Sequence, residues 1–260
     1  LSLSGSTSIT AGTGVTLESL NNNTGTIALL SSGGINGGSG TVLMRAANYA
    51  FGGADRTITT TGVLTIEPDA DENSFASSFD NQYLNPVSVT GLTLGKSSNA
   101  SAITLSRAIS LSGPVSIYGG SIDVNANITA NSGNILLDAD TGSTLNQSST
   151  GILLDDVITI ETVTSGNLTL IGRSGDTGSG FDGIDASSAN TTTLRSAGNL
   201  TLQGYSYAAS GSGRGVDLNN DVIAASGTVS MSGQHNTGAT YALSLSGSTS
   251  ITAGTGVTLE

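Results

Sequence analysis

The chain has 260 residues, a formal charge of −12, 37 Gly, only 3 Pro and neither Cys nor Trp. That length and an apolar share of 36% suffice for a core, whereas the acidic balance excludes a nucleic-acid backbone as natural partner and disfavours anionic membranes. No apolar run approaches the about eighteen residues of a membrane span, and the absence of thiols suits a chain threaded unfolded through a secretion pore.

Residues Leu1–Glu18 read LSLSGSTSITAGTGVTLE, and the same eighteen letters return at Leu243–Glu260, an offset of 242. Packing demands preserve hydrophobic pattern but not surface Ser and Thr, so the copies descend from one duplicated segment. The expected organisation is one repeat unit over residues 1–242 and the start of the next identical repeat over 243–260. A period that joins end to end without a linker reads as a solenoid. Short β-branched runs between Gly, Asn and Ser turns favour strands throughout, and no stretch has helical periodicity.

Between Arg45 and Asn85 the pattern changes. The run from Glu67 to Pro86 reads as one long loop excursion, carrying Glu67, Asp69, Asp71, Glu72 and Asp80, with Phe75 and Phe79 pinned to the wall. Such loops are where solenoids place specific contacts.

From Ile103 onward a shorter plan repeats. Ile122–Leu137 and Val216–Met231 align with Ile122/Val216, Val124/Leu218, Ile128/Val222, Ile135/Val229 and Leu137/Met231 in equivalent positions. All ten are expected to point inward. Starts at Ile103, Ile122, Ile152, Ile184, Val216 and Leu245 mark successive copies, the wider spacings carrying inserted residues. Each copy holds three short apolar pairs, as one coil of a three-sided parallel β-helix requires. The fold class is therefore all-β, a parallel β-solenoid with about ten coils per 242-residue repeat, rising about 45–50 Å at ~4.8 Å per coil. The pairs Gly133-Asn134, Gly166-Asn167 and Gly198-Asn199 are expected corners, whose stacked Asn side chains form a hydrogen-bonded ladder.

Catalytic chemistry finds little to work with. His235 is the one histidine and sits in a Gly/Asn-rich turn, and no Ser/His/Asp set can be built around it. A β-helix lyase or hydrolase acting on polysaccharide needs carboxylates with basic or metal partners and an aromatic platform; Asp155, Asp156, Asp217 and Asp221 offer only the acids. The chain is not expected to be an enzyme. For a metal, Gly178–Ile184 (GSGFDGI) matches the core of a calcium-binding nonapeptide repeat, and Asp176, Asp182 and Asp185 with backbone carbonyls would approach the oxygen set of Ca²⁺. A Gly-rich loop with solvated acids is the competing reading, and the Asp69, Asp71, Glu72 and Asp80 group is a second candidate.

The run ISLSGPVSIYGGSIDVNANITANSGNILLDA, Ile109 to Ala139, resembles the filamentous haemagglutinin-type adhesins, giant repeat-containing bacterial surface proteins often exported by two-partner secretion. The resemblance implies a right-handed parallel β-helix shaft in a secreted adhesin, at the cell surface or in a biofilm. The expected function is that of a structural repeat of an extracellular filament or adhesin stalk, projecting a tip and supporting adhesion. Its partners would be neighbouring identical repeats end to end, and a host or neighbouring-cell surface or glycan. A self-assembling sheath subunit that stacks head to tail, and a polysaccharide-binding or polysaccharide-cleaving β-helix module, are the alternatives.

Overall fold

A computed structural model describes residues 1–4, 7–20, 24–30, 34–52, 57–69, 73–84, 88–139, 149–176, 179–187, 190–208, 210–236 and 241–260. Asp71, Glu72, Asn85, Pro86 and Gly178, named above, lie outside them.

Among the described residues every strand pairing is parallel, and each strand pairs with its equivalent one coil away. The strands form three walls. The longest is an uninterrupted sheet of ten strands, from Val15–Ser19 at one edge to Gly256–Leu259 at the other. The second consists of a three-stranded sheet starting at Ser2–Leu3 and a seven-stranded sheet ending at Leu243–Ser246. The third is likewise split, three strands from Ile9–Thr10 and six ending at Ser250–Ala253. This is a parallel β-helix with no closed barrel. Among the described residues no helix is long and apolar enough to cross a membrane.

Alternation within each strand produces the core. In Val115–Gly119 and Ile135–Ala139 the odd positions are buried, and Val115, Ile135 and Leu168 stack in one inward column. Ile122, Ile152, Ile184 and Val216 make another on the second wall. Parallel pairing in register puts like residues on like, so each buried side chain closes the space above its predecessor.

Nine of the ten residues expected inward are buried. Val222 is the exception: it is half-exposed, and Ile223 occupies the column of Ile128, Ile160 and Leu194. The corner before it explains the shift. Asn220 adopts a left-handed φ of 64°, and the buried Asp221 carboxylate accepts the backbone N–H groups of Asn219 and Thr192, both at 2.9 Å. That capped corner uses one residue more than its counterpart at Asn125–Asn127, and the pleat changes face. At the last coil, Leu243 lies opposite Val216, so this coil begins two residues before the expected Leu245.

The expected corners and ladder are present. Gly133 and Gly166 have φ of +107° and +114°, and a Cβ on Gly166 would lie 1.9 Å from the Gly133 carbonyl oxygen. Asn134 Oδ1 accepts the Asn167 N–H at 2.9 Å, Asn167 Oδ1 the Asn199 N–H at 2.8 Å, and Asn199 Oδ1 the Thr228 N–H at 2.9 Å. The ladder thus runs from side chain to backbone.

The segment read as a long excursion rejoins the wall earlier than expected. Phe79–Asp80 is the first strand of the seven-stranded sheet, paired with Ile103–Leu105, and a short 3-10 turn, Asn81–Tyr83, follows it. Phe75 and Phe79 are buried and pack with Tyr49 and Phe51, all ring centroids lying within 5.4–6.1 Å of their neighbours. These rings fill the break between the three-stranded and seven-stranded sheets. Buried Asn99 ties the segment down: its Oδ1 accepts the N–H of Phe75 and of Ser101, and its Nδ2 donates to the carbonyls of Ser101 and Tyr118.

Candidate functional site

The second wall carries an outward column read from its register as Asp80, Thr104, Asp123, Leu153, Asp185, Asp217 and Ser244. Neighbours in that column are one strand spacing apart, ~4.8 Å, so stacking Asp185 on Asp217 forces two carboxylates together. Asp182 joins them from the corner just before its strand. The three offer carboxylate oxygens that all lie within 4.8 Å of one another.

The corner itself is made by close backbone stacking. Gly183 donates its N–H to the Arg214 carbonyl, and a Cβ there would meet Tyr205 N at 2.3 Å and Gly215 O at 2.6 Å. The GSGFDGI loop is therefore not a free loop over its described residues; it is stacked on Gly211–Gly215 of the next coil, with Ser179 bridged to Ser210.

Counter-charge at the site comes from Arg214. Its guanidinium pairs with the buried Asp217 carboxylate, and its backbone N–H donates to Asp182 Oδ1. Burial pushes the Asp182 carboxyl up to about 7; the Arg214 N–H opposes this, and the Asp185 and Asp217 charges add to it. Asp221, just past the strand Val216–Asn219 that carries Asp217, is raised to about 6, again chiefly by burial. Asp123 is raised by burial too, although Asn125 Nδ2 donates to its Oδ2 at 3.1 Å.

Of the three residues expected to hold Ca²⁺, the structure brings Asp182 and Asp185 together and adds Asp217. Asp176 is not among the three converging carboxylates, and its Oδ1 is buried without a hydrogen-bond partner. Three monodentate carboxylates give a cation half of the six oxygens that Ca²⁺ requires at least, and Arg214 already neutralises one of them. What is assembled here is a cluster of three carboxylates around Arg214, with burial favouring the protonated form of Asp182. Asp217 was accessible to sequence reasoning, because aligning Ile184 with Val216 places Asp185 beside Asp217; Arg214 carried no such signal.

Among the described residues, the other named acids form no further cluster of three. Asp155 and Asp156 are exposed in the corner after Ile152–Leu154. Asp69 is buried, and Asp80 accepts the Gln82 N–H at the start of the 3-10 turn. His235 ends the strand Thr228–His235, exposed beside Gln234 and Asn236. Arg173 lies 5.4 Å over the Tyr205 ring and 3.4 Å from Asp138, so this pair is held within the wall surface.

At the two ends of the long wall sit the identical segments. Val15–Ser19 pairs with Val42–Ala46, and Gly256–Leu259 pairs with Thr228–His235 on its inner side. Val15 and Leu17 are 8% and 7% exposed, whereas their equivalents Val257 and Leu259 are 49% and 47% exposed. Arg45 sits between Glu18 and Glu67 in one outward column and pairs with both.

Comparison with protein-family models, with curated proteins and with solved structures finds no match to this chain. The parallel β-helix is established by its own strand pairing and not by any relative.

Proposed function

We propose that the chain is a structural length of a giant extracellular filament or adhesin stalk, whose work is mechanical: it holds a tip, or a surface that adheres, at a distance. One observation carries this reading. The two identical eighteen-residue segments occupy opposite ends of the same walls and adopt the same three-strand plan, so the unit is built to be continued by itself. Continuous parallel ladders along every wall suit the task, since bending or cleavage must break many hydrogen bonds together. The likeness of Ile109–Ala139 to filamentous haemagglutinin-type adhesins supports a secreted, surface-attached setting, with identical repeats end to end and a cell surface or glycan as partners.

The test has two arms. A chain of residues 1–242 followed by 1–260 should be a single rod longer than the 260-residue chain by one period in electron micrographs. Antibody against the chain should label intact source cells. A folded-back, compact two-period chain sinks the mechanical reading, and label seen only after lysis sinks the extracellular one.

A further inference from the structure

Two rings that the register points inward can be reached from outside. Tyr49 and Phe51 lie on Ile27 and Leu29 in the inward column of the second wall. Ile27 and Leu29 are 0% and 3% exposed, whereas both rings are partly exposed. The cause is the break in that wall. Asn48–Phe51 is the last strand of its three-stranded sheet, Phe79–Asp80 is the first of the next, and the two do not pair. One end of the gap is drawn together where the Ala76 N–H donates to the Ala47 carbonyl at 2.9 Å. Beside it a pocket of about 280 Å³ opens to solvent, lined by Tyr49, Phe51, Phe75 and Phe79, with the exposed Asp80 on its rim. The rings form two stacked pairs, Tyr49 with Phe51 at 22° and Phe75 with Phe79 at 28°, and the pairs meet at 77–83°. The Tyr49 hydroxyl, 2.8 Å from the Met44 carbonyl and 2.7 Å from the Glu67 carbonyl, holds its ring in place.

We propose that this pocket binds an organic ammonium ion, with its N-methyl groups against the rings and its charge facing Asp80. Ring faces carry partial negative charge and attract a cation, most strongly where water is excluded. The surrounding charge points the same way. Asp80 is the one charged residue lining the pocket among the described residues, Arg45 nearby is taken up by Glu18 and Glu67, and the chain as a whole carries −12. A metal ion such as Ca²⁺ would find one carboxylate where it needs about six oxygens. A saccharide stacks on a flat ring face at the surface, but here Phe75 and Phe79 are buried and the two ring pairs meet edge to face. The size suits a headgroup, since about 280 Å³ falls just below the ~300 Å³ at which sites for drug-sized ligands begin. The site goes beyond the stalk reading and does not depend on it.

Choline, titrated into the 260-residue chain and followed by saturation-transfer NMR of its N-methyl protons, should give a saturable signal. Its neutral carbon analogue, in which a tert-butyl group replaces the trimethylammonium, should bind about tenfold more weakly. Asp80→Asn keeps an acceptor for the Gln82 N–H and should weaken choline about two- to fivefold. Phe51→Leu, at a partly exposed position, keeps apolar bulk but loses the ring face; it should weaken choline about tenfold and leave the circular dichroism of the chain unchanged. Phosphocholine and Nε-trimethyllysine, titrated in parallel, separate a lipid or glycan headgroup from a methylated protein as the source of the ammonium, and the tighter binder gives the source. Equal binding of choline and its carbon analogue would show an apolar pocket only and overturns the ammonium site. A signal that never saturates, or one that neither variant changes, overturns it as well. Each of these leaves the filament reading standing, because the two-period chain tests that separately.

Discussion

At the scale of single residues, the acids and the corner residues do different work. Asp182 holds its proton to about pH 7 in the folded chain, against about 3.9 for a free Asp. Between those values the folded state binds a proton that the unfolded state has released, so stability falls as pH rises through the window and levels off above it. The thermal midpoint should accordingly be lower at pH 8 than at pH 5. Asp182→Asn, which keeps an acceptor for the Arg214 N–H, should flatten the slope; a midpoint that rises with pH would show the site holding a cation instead. At the corners, Asn167→Ala removes one acceptor from the ladder and should cost about 0.5–1.5 kcal/mol in urea titration. Gly166→Ala should cost more, because it meets both a left-handed φ and the Gly133 carbonyl 1.9 Å away. Equal losses at the two positions would contradict that account of the corner.

At the scale of elements, the wall strands and the aromatic plug divide the core between them. Ile135 lies between Val115 and Leu168 with no exposed surface. Ile135→Asp would bury a charge without a partner, and proteolysis should then cut within the adjoining coils while the terminal coils resist. A digestion pattern identical to the parent chain would sink the assigned register. The plug spans the break in the second wall, where Phe79 contacts Phe75 at 5.4 Å and Tyr49 at 5.8 Å. Phe79→Ala should cost about 3–5 kcal/mol, the usual price of emptying an aromatic site, read as a lower urea midpoint. A loss below 1 kcal/mol, roughly that of a surface substitution, would contradict a packed seat for Phe79.

At the scale of the whole molecule, length follows from counting coils. Ten strands in the long wall span nine steps between the two copies, so one period rises about 43 Å at ~4.8 Å per step. That is nine coils per period against the roughly ten expected. Small-angle scattering of the two-period chain should show its longest dimension increased by about 43 Å over the 260-residue chain; an increase under about 20 Å, four strand spacings, would exclude a straight continuation.

The amino-acid sequence by itself determined the β-helix and most of its register, because both depend on local quantities. Alternation within a strand chooses the inward face, Gly-Asn marks a corner, and exact duplication of eighteen residues defines the period. That register also implies Asp185 beside Asp217, a pairing the sequence reading did not draw and the structure shows. Tertiary structure decided what depends on neighbours distant in the chain. Val222 yielded the core to Ile223 because a capped corner around buried Asp221 absorbed one residue, which composition cannot show. Phe79 became a wall strand because Tyr49 and Phe51, nearly thirty residues earlier, offered it an apolar seat. Arg214 entered the acidic site through the stacking of two glycine-rich loops whose Cα atoms approach too closely for any side chain.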